Sequence, residues 1–314
     1  MNANEYSVPS VILGRSGIRS SRLGLGCAYW PREQPYEKVV EVFRTAFAAG
    51  IRHIDAAALY GTEEIVGKAL TDAGKPADMV MVTKACSESD GHRHIAEYTE
   101  SRVMLSVERS LKRLQVDHLD ILHIHDPRQE HLAQVFAKDG ALQAMMKLKS
   151  QGVIRSIGMA TSSLIVHKAA IECGEIDHIQ PFHSFTLLNQ QSMLEVIPAA
   201  KAKNLSVLNN APYAGYILLT GAIEGAKYNY RNAPKEVIDA VKRIEAVCAR
   251  KNVSLSTAAL AYSLMTPQIS ATVIGASSPT KLLERVEVFN APLVKADFDE
   301  MLDAAGGTFP ISVA

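Results

Sequence analysis

Short apolar runs alternate with amphipathic stretches along nearly the whole chain. Residues 21–28, SRLGLGCA, have the length and composition of a strand. Residues 35–49, PYEKVVEVFRTAFAA, place apolar residues at helical spacing and stop at Gly50, so they predict a helix. The pattern then repeats, with strands expected at 53–57, 79–85, 118–124, 156–159, 178–182, 206–211 and 271–276. Helices are expected at 63–73, 97–115, 141–150, 164–173, 191–203, 254–265 and 279–289. In the long segment 97–115, Val103, Val107, Leu111 and Leu114 keep i, i+3, i+4 spacing. Pro279 suits the first turn of the last of these helices.

Eight strands, each followed by a helix and most of them apolar throughout, suit a parallel sheet covered by helices. In a chain of 314 residues this predicts a closed (β/α)8 TIM barrel, read as one domain over residues 1–314. Three pieces fall outside the repeat. Residues 7–18, with the turn Gly14-Arg15-Ser16-Gly17, predict a β-hairpin cap at the barrel bottom. Residues 236–250 and 296–305 predict extra helices.

Active sites of such barrels are built where the strands end and the following loops begin. Asp55 closes the second strand, and Tyr60 follows in its loop. Lys84 closes the third strand and His125 the fourth, so one rim would carry Asp, Lys and His with a Tyr above them. A phenol with a pKa near ~10 exchanges protons poorly at neutral pH. A neighbouring ammonium lowers that pKa, a carboxylate holds the ammonium in place, and an imidazole can hydrogen-bond a substrate oxygen. Such a set suits proton transfer at an oxygen whose carbon gives or takes a hydride.

Charge and composition narrow the class. Lys and Arg number 33 against 33 Asp and Glu, which argues against a nucleic-acid partner. No run of ~18 apolar residues is present to span a membrane, and the N-terminal residues do not read as a signal peptide. Cys27, Cys86, Cys173 and Cys248 lie far apart without a C-x-x-C pair. Reduced thiols in a cytoplasmic protein are therefore expected.

The chain resembles the aldo-keto reductases over nearly its whole length. GIRHID (residues 50–55), followed by Tyr60-Gly61 and Glu64, matches the family's first signature. Lys84 after an apolar strand, and His125 two residues before Pro127, match the rest of its tetrad. GVIRSIG (152–158) and IGASSP (274–279), the latter followed by Glu284, match two later segments. The resemblance implies that Tyr60 is the general acid/base, that Lys84 and Asp55 tune it, and that His125 orients the substrate oxygen. It implies a nicotinamide dinucleotide lying across the barrel's C-terminal face, in keeping with the lack of a G-x-G-x-x-G turn before a helix.

By the same resemblance, Gln180 would hold the nicotinamide carboxamide. Gly26 and Cys27 would form the loop beside the cofactor, and Ser277, Lys281 and Glu284 would contact its adenosine side. The sequence departs from the family at several of these places. The usual Ser-Asn pair is Ala160-Thr161, leaving Thr161 as the carry-over. The nicotinamide-stacking aromatic falls at Asn210, with Tyr213 nearby, and Arg285 replaces an Asn. The Lys that commonly pairs with the NADP 2′-phosphate aligns to Gly275. NAD or NADP is thus the expected cofactor, with the lean toward NAD. The segment NNAPY (209–213) and His125-Asp126 resemble the aldose 1-dehydrogenase branch, which includes galactose, fucose and some pyridoxal dehydrogenases. That implies a small carbonyl or sugar substrate, with Tyr29, Trp30 and Asp126 as candidate pocket residues.

Two other classes compete. His123-x-His125 at a strand end is a pattern that some metal-dependent barrel hydrolases use. Such a site would want an Asp after the last strand, where the sequence is Ile274-Gly275-Ala276-Ser277, so no metal is expected. Period-two alternation puts His123 one tier below His125 and His53 below Asp55, which reads both as core histidines. His92 and His94 read as solvated loop residues. The third class is a non-catalytic nucleotide-binding relative. The intact tetrad argues against it.

Overall fold

The computed structural model describes residues 7–28, 30, 34–89 and 94–310. Eight parallel strands close a barrel in sequential order. They are β1 (Leu23–Gly26), β2 (His53–Asp55), β3 (Val80–Ala85), β4 (Leu119–His125), β5 (Ile154–Thr161), β6 (His178–Pro181), β7 (Ser206–Asn210) and β8 (Ala271–Ile274). β8 pairs with β1 through Ile274 and Leu25, which shuts the cylinder. Among the described residues, no helix is long and apolar enough to cross a membrane.

The helices pack outside the strands because each carries an apolar face. In Tyr36–Ala48 the buried residues are Val39, Val40, Val42, Phe43 and Ala46. Glu63–Ala73, Ala141–Ser150 and Leu164–Cys173 form over the expected residues. Glu100–Leu114 starts later than its periodicity predicts, because Thr99 caps it by accepting a hydrogen bond from Arg102 N. Its forerunner, residues 94–96, pairs instead with Ser87–Ser89 in a short antiparallel hairpin. The single helix expected at 191–203 is two helices, Gln191–Glu195 and Ile197–Ala202. Pro198 in the first turn of the second has no N–H to continue the first.

The N-terminal hairpin pairs Ser10–Leu13 with Ile18–Ser21, so it extends three residues beyond the expected cap. Leu13 and Ile18 are fully or almost fully buried against Val80, Val82, Ile121, Leu208 and Ala271, which plugs the barrel's N-terminal end. The extra helices are Lys235–Arg250 and Lys295–Ala305.

The barrel interior holds a tier of imidazoles. His53, His123 and His178 come from β2, β4 and β6, and all three are 0% exposed. Alternate strands fill one layer of such a barrel, and the intervening strands must then make room. Gly158 of β5 pairs with both His123 and His178, and a Cβ there would run into the His123 ring. Gly24 of β1 pairs with His53, and a Cβ would lie 2.7 Å from its Cδ2. Large rings on even strands therefore sit beside missing side chains on odd ones. The core reading of His53 and His123 agrees with this placement.

Burial holds these rings neutral. Desolvation pushes His53 down to about 4, His178 to about 3, and His123 well below the usual histidine range. His167, buried in the helix Leu164–Cys173, is likewise pushed to about 4. In the unfolded chain the same groups bind protons near pH ~6.5. Between those limits the unfolded state holds more protons, so the stabilisation present above pH ~6.5 is lost as pH falls toward 4 and below. The urea midpoint is therefore expected to drop steeply between about pH 6.5 and pH 4. The drop should be smaller in a His178→Gln variant. A midpoint flat across that window would contradict the neutral imidazole tier.

Candidate active site

The strand ends place Asp55, Lys84 and His125 on one rim, with Tyr60 in the short 3-10 turn Ala58–Tyr60 that follows β2. Lys84 Nζ lies 2.5 Å from Asp55 Oδ1 and donates to Ala56 O at 2.8 Å. Both partners are essentially excluded from solvent. The second Asp55 oxygen accepts from Gln180 Nε2 at 2.6 Å. A carboxylate only accepts, so this contact also settles which end of the Gln180 amide faces it.

The Lys84 ammonium stands 5.0 Å from the centre of the Tyr60 ring. The His125 ring meets Tyr60 edge-on at 5.8 Å between centroids. Tyr98 Oη donates to His125 O at 3.1 Å and braces the end of β4. Burial works against the Lys84 charge, yet Asp55 and Tyr60 outweigh it and hold the ammonium above its ordinary value. Burial, reinforced by the Lys84 charge, pushes His125 well below the usual range, so its ring is neutral.

For Tyr60 the balance differs from expectation. Burial pushes its phenol above the ordinary value, and Asp55 adds to the rise while Lys84 opposes it. The ammonium therefore limits the increase rather than bringing the phenol below its solution value. The group is a protonated donor at neutral pH.

Beside this set opens a cleft of about 890 Å³. Tyr60 lines it, and so do Gly26, Asn210, Gly275, Ser277, Lys281 and Glu284, seven of the residues singled out from the sequence. Lys281, Glu284 and Arg285 are the charged side chains of its lining among the described residues. The Arg285 guanidinium rests 5.2 Å over the Tyr213 ring. Asn210 Oδ1 is engaged by Ala211 N at 3.0 Å.

Asp55, Lys84, His125 and Gln180 are buried in the rim and are not part of the cleft lining, and four further expected residues sit elsewhere. Cys27 is fully buried with its thiol turned to Leu25 O at 3.8 Å, so only its backbone frames the loop after β1. Thr161 is also buried, and its hydroxyl donates to Pro127 O at 3.0 Å, which spends it on holding the loop after β4. Trp30 packs 5.8 Å from Phe43 under the helix Tyr36–Ala48 and is a core residue rather than a pocket wall. Asp126 is exposed at a φ of 48° beyond the rim, outside the cleft lining. Tyr29 and His92 lie outside the described residues. His94 is exposed, with Nε2 2.5 Å from Ser87 Oγ.

Other residues of the site carry little signal in the sequence. Phe182, Tyr216, Leu219 and Tyr230 also line the cleft, and the three rings are grouped around Tyr230. Glu88, in the hairpin after β3, accepts from Ser106 at 3.1 Å and from Arg102 and Arg109 at 3.3 Å. Glu63 accepts from Thr83 at 2.6 Å and Arg113 at 2.8 Å. These two carboxylates lash the Lys84 strand and its loop to the helix Glu100–Leu114. As for the hydrolase pattern, no three His, Cys, Asp or Glu side chains are grouped as a metal ion would need among the described residues.

Residues 22–305 match the sequence profile described as the Aldo/keto reductase family. The chain belongs to the aldo/keto reductase family. Like the family, it is an NAD(P)-dependent oxidoreductase. An L-galactose dehydrogenase of Arabidopsis thaliana is 29% identical over 87% of this chain and 86% of its own length. A D-threo-aldose 1-dehydrogenase of Pseudomonas sp is 28% identical over 78% and 81%. A pyridoxal 4-dehydrogenase of Microbacterium luteolum is 26% identical over 88% and 92%. The holo form of an aldo-keto reductase from Bacillus halodurans superposes with a TM-score of 0.82 at 25% identity, covering 96% of this chain and 98% of that one.

The buried ion pair makes a stability prediction. Lys84→Met leaves the Asp55 carboxylate buried without its cation, which costs about 3–5 kcal/mol. Adding Asp55→Asn removes the stranded charge, and the double variant is expected to regain a large part of that loss in urea unfolding. A double variant no more stable than the single one would show that the pair is not what holds this rim.

Proposed function

We propose that this member of the family oxidises or reduces the carbon bearing a substrate oxygen as an aldose (sugar) 1-dehydrogenase, with Tyr60 as its general acid/base. The observation that carries the reading is the contact of Tyr60 with both the buried Lys84–Asp55 pair and the long cleft. The nicotinamide dinucleotide, when bound, supplies or accepts the hydride. Everything else falls to side chains of this chain.

The site fits that cofactor on two counts, one in the buried rim and one in the cleft. Gln180 spends its N–H on Asp55, and its Oε1 is buried without a partner among the described residues. It is an acceptor waiting for a donor such as a carboxamide N–H. In the cleft lining, Lys281 and Arg285 offer cations to phosphates, while Ser277 and Glu284 offer polar contacts. Gly275 presents open space where the family commonly places a Lys toward a 2′-phosphate, which supports the lean to NAD.

In reduction, the protonated Tyr60 gives its proton to the carbonyl oxygen as negative charge develops there. Neutral His125 hydrogen-bonds that oxygen and fixes its direction. Lys84 stabilises the phenolate left behind, and Asp55 with Gln180 keeps the ammonium in place. Oxidation runs the same proton path in reverse and requires the phenolate. The aldose assignment leans on the loop residues Asn209 to Tyr213 and on the two sugar dehydrogenases among the relatives. We further read residues 1–314 as one barrel domain working in the cytoplasm, where four unpaired cysteines stay reduced.

Tyr60→Phe keeps the ring and removes the hydroxyl. It is expected to fold, bind cofactor normally and lose ~10²- to 10⁴-fold in turnover in both directions. Because the Tyr60 pKa is raised, oxidation by the parent should climb with pH without levelling below ~10, whereas reduction stays flat across that range. Stopped-flow absorbance of the reduced nicotinamide reads both. A fully active Tyr60→Phe protein, or one shared pH profile with chemistry rate-limiting, would overturn the assignment. For cofactor choice, kcat/KM with NAD is expected to exceed that with NADP, and a tenfold preference for NADP would reverse the lean.

A further inference from the structure

One part of the cleft lining is shaped by an unusual turn. Lys227–Tyr228 and Arg231–Asn232 pair antiparallel, and the two residues between them, Asn229 and Tyr230, have φ of 49° and 62°. A two-residue hairpin with both central residues left-handed favours Asn then Gly. Here the second position holds a tyrosine, a left-handed conformation that costs a side-chain-bearing residue more than it costs glycine. Strain of that kind persists only where the surroundings over-determine it.

The surroundings do so from three sides. A Cβ on Gly215 would stand 2.5 Å from Asn229 N and 2.7 Å from Tyr230 N, so the turn is pressed onto a glycine that alone leaves room for it. Asn229 N donates to Ala214 O at 3.2 Å. The preceding Tyr228 is buried, and its hydroxyl donates to Phe309 O.

The tyrosine so held does not close a core. Its side chain is 55% exposed and lines the cleft. Its ring lies parallel to Phe182 at 6.3 Å and edge-on to Tyr216 at 5.8 Å. Phe182 in turn bridges to Asn210, and Tyr60 lines the same cleft. Among the described residues, the lining of the cleft also holds Pro212, Leu219 and Thr220, and its charged side chains are Lys281, Glu284 and Arg285. Aromatic faces of this sort take flat partners that present a C–H or π face, and their negative faces disfavour an anion.

We propose that Tyr230, with Phe182 and Tyr216, forms a stacking platform that selects uncharged ring substrates over open-chain ones. The inference rests on the hydride-transfer reading of the cleft and adds the residue that sets substrate shape. The shared chemistry is a ring presenting a C–H or π face, which a pyranose and an aromatic alcohol both supply. Tyr230 acts by positioning the ring and not by moving protons.

Tyr230→Gly tests this without threatening the fold, since glycine relieves the left-handed strain while deleting the ring. Galactose, benzyl alcohol and glycerol would be compared as substrates with NAD and NADP. The expected result is a KM about 5- to 10-fold higher for the ring substrates, a magnitude typical of one lost aromatic contact. Glycerol kinetics should stay within about twofold, the cofactor Kd unchanged, and the melting temperature equal or higher. Tyr230→Phe should behave as the parent. Whichever of galactose and benzyl alcohol suffers the larger loss identifies the ring that the platform takes.

Ligand-observed NMR of the same rings on cofactor-loaded protein gives a readout that does not need turnover. If the parent turns over none of the three alcohols but binds a ring that Tyr230→Gly releases, the platform stands and the hydride-transfer reading falls. An unchanged ring-to-chain ratio, ring binding indifferent to Tyr230→Gly, or a weakened cofactor Kd with substrate KM unaltered would each overturn the platform.

Discussion

A lysine ammonium and an aspartate carboxylate held 2.5 Å apart out of reach of water constrain the rest of this site. Separately, either charge would be too costly to bury there. Together they are tolerable only if the remaining polar valences are filled, and Ala56 O and Gln180 Nε2 fill two of them. The pair thereby fixes three strands, β2, β3 and β6, relative to one another. It also leaves a positive charge beside a phenol and a buried amide oxygen without a partner among the described residues. Chemistry and cofactor fit both follow from how that pair was satisfied.

The tier below serves the same end by different means. Three neutral imidazoles fill the barrel where aliphatic side chains are usual, and glycines on the neighbouring strands make the space. Neutrality matters, because a protonated ring there would sit unpaired in the interior and oppose the Lys84 charge above it. Outside the barrel, Glu63 and Glu88 hold the β3 end through hydroxyls and guanidiniums of one helix. The rim is therefore rigid from beneath and from the side. The loop after β7 is different, with Ala211, Ala214, Tyr216, Asn229 and Tyr230 all at positive φ. Positive-φ residues of the site gather in the segment that carries Tyr216 and Tyr230 into the cleft.

Much of this was legible in the amino-acid order. Alternation of apolar runs with amphipathic stretches determined eight β/α units, because strand and helix periods differ and each element must hide one face. Polar residues ending apolar strands marked Asp55, Lys84 and His125, since a barrel exposes just those ends. Glycines at Gly24 and Gly158 are written in the sequence too, but their purpose depends on which rings the register sets beside them.

Only the tertiary structure decided the rest. Trp30, Cys27 and Thr161 are adjacent in sequence to the rim yet turn into packing or into loop bonds, because a side chain's direction depends on a backbone path that local pattern does not encode. The net direction of the Tyr60 shift is likewise a sum over burial and two opposite charges, and burial has no sequence signature. Phe182, Tyr216 and Tyr230 are 48 residues apart from first to last, and no periodicity joins them. They meet because the barrel closes, a glycine leaves room for a strained turn, and that turn points an aromatic ring into the cleft.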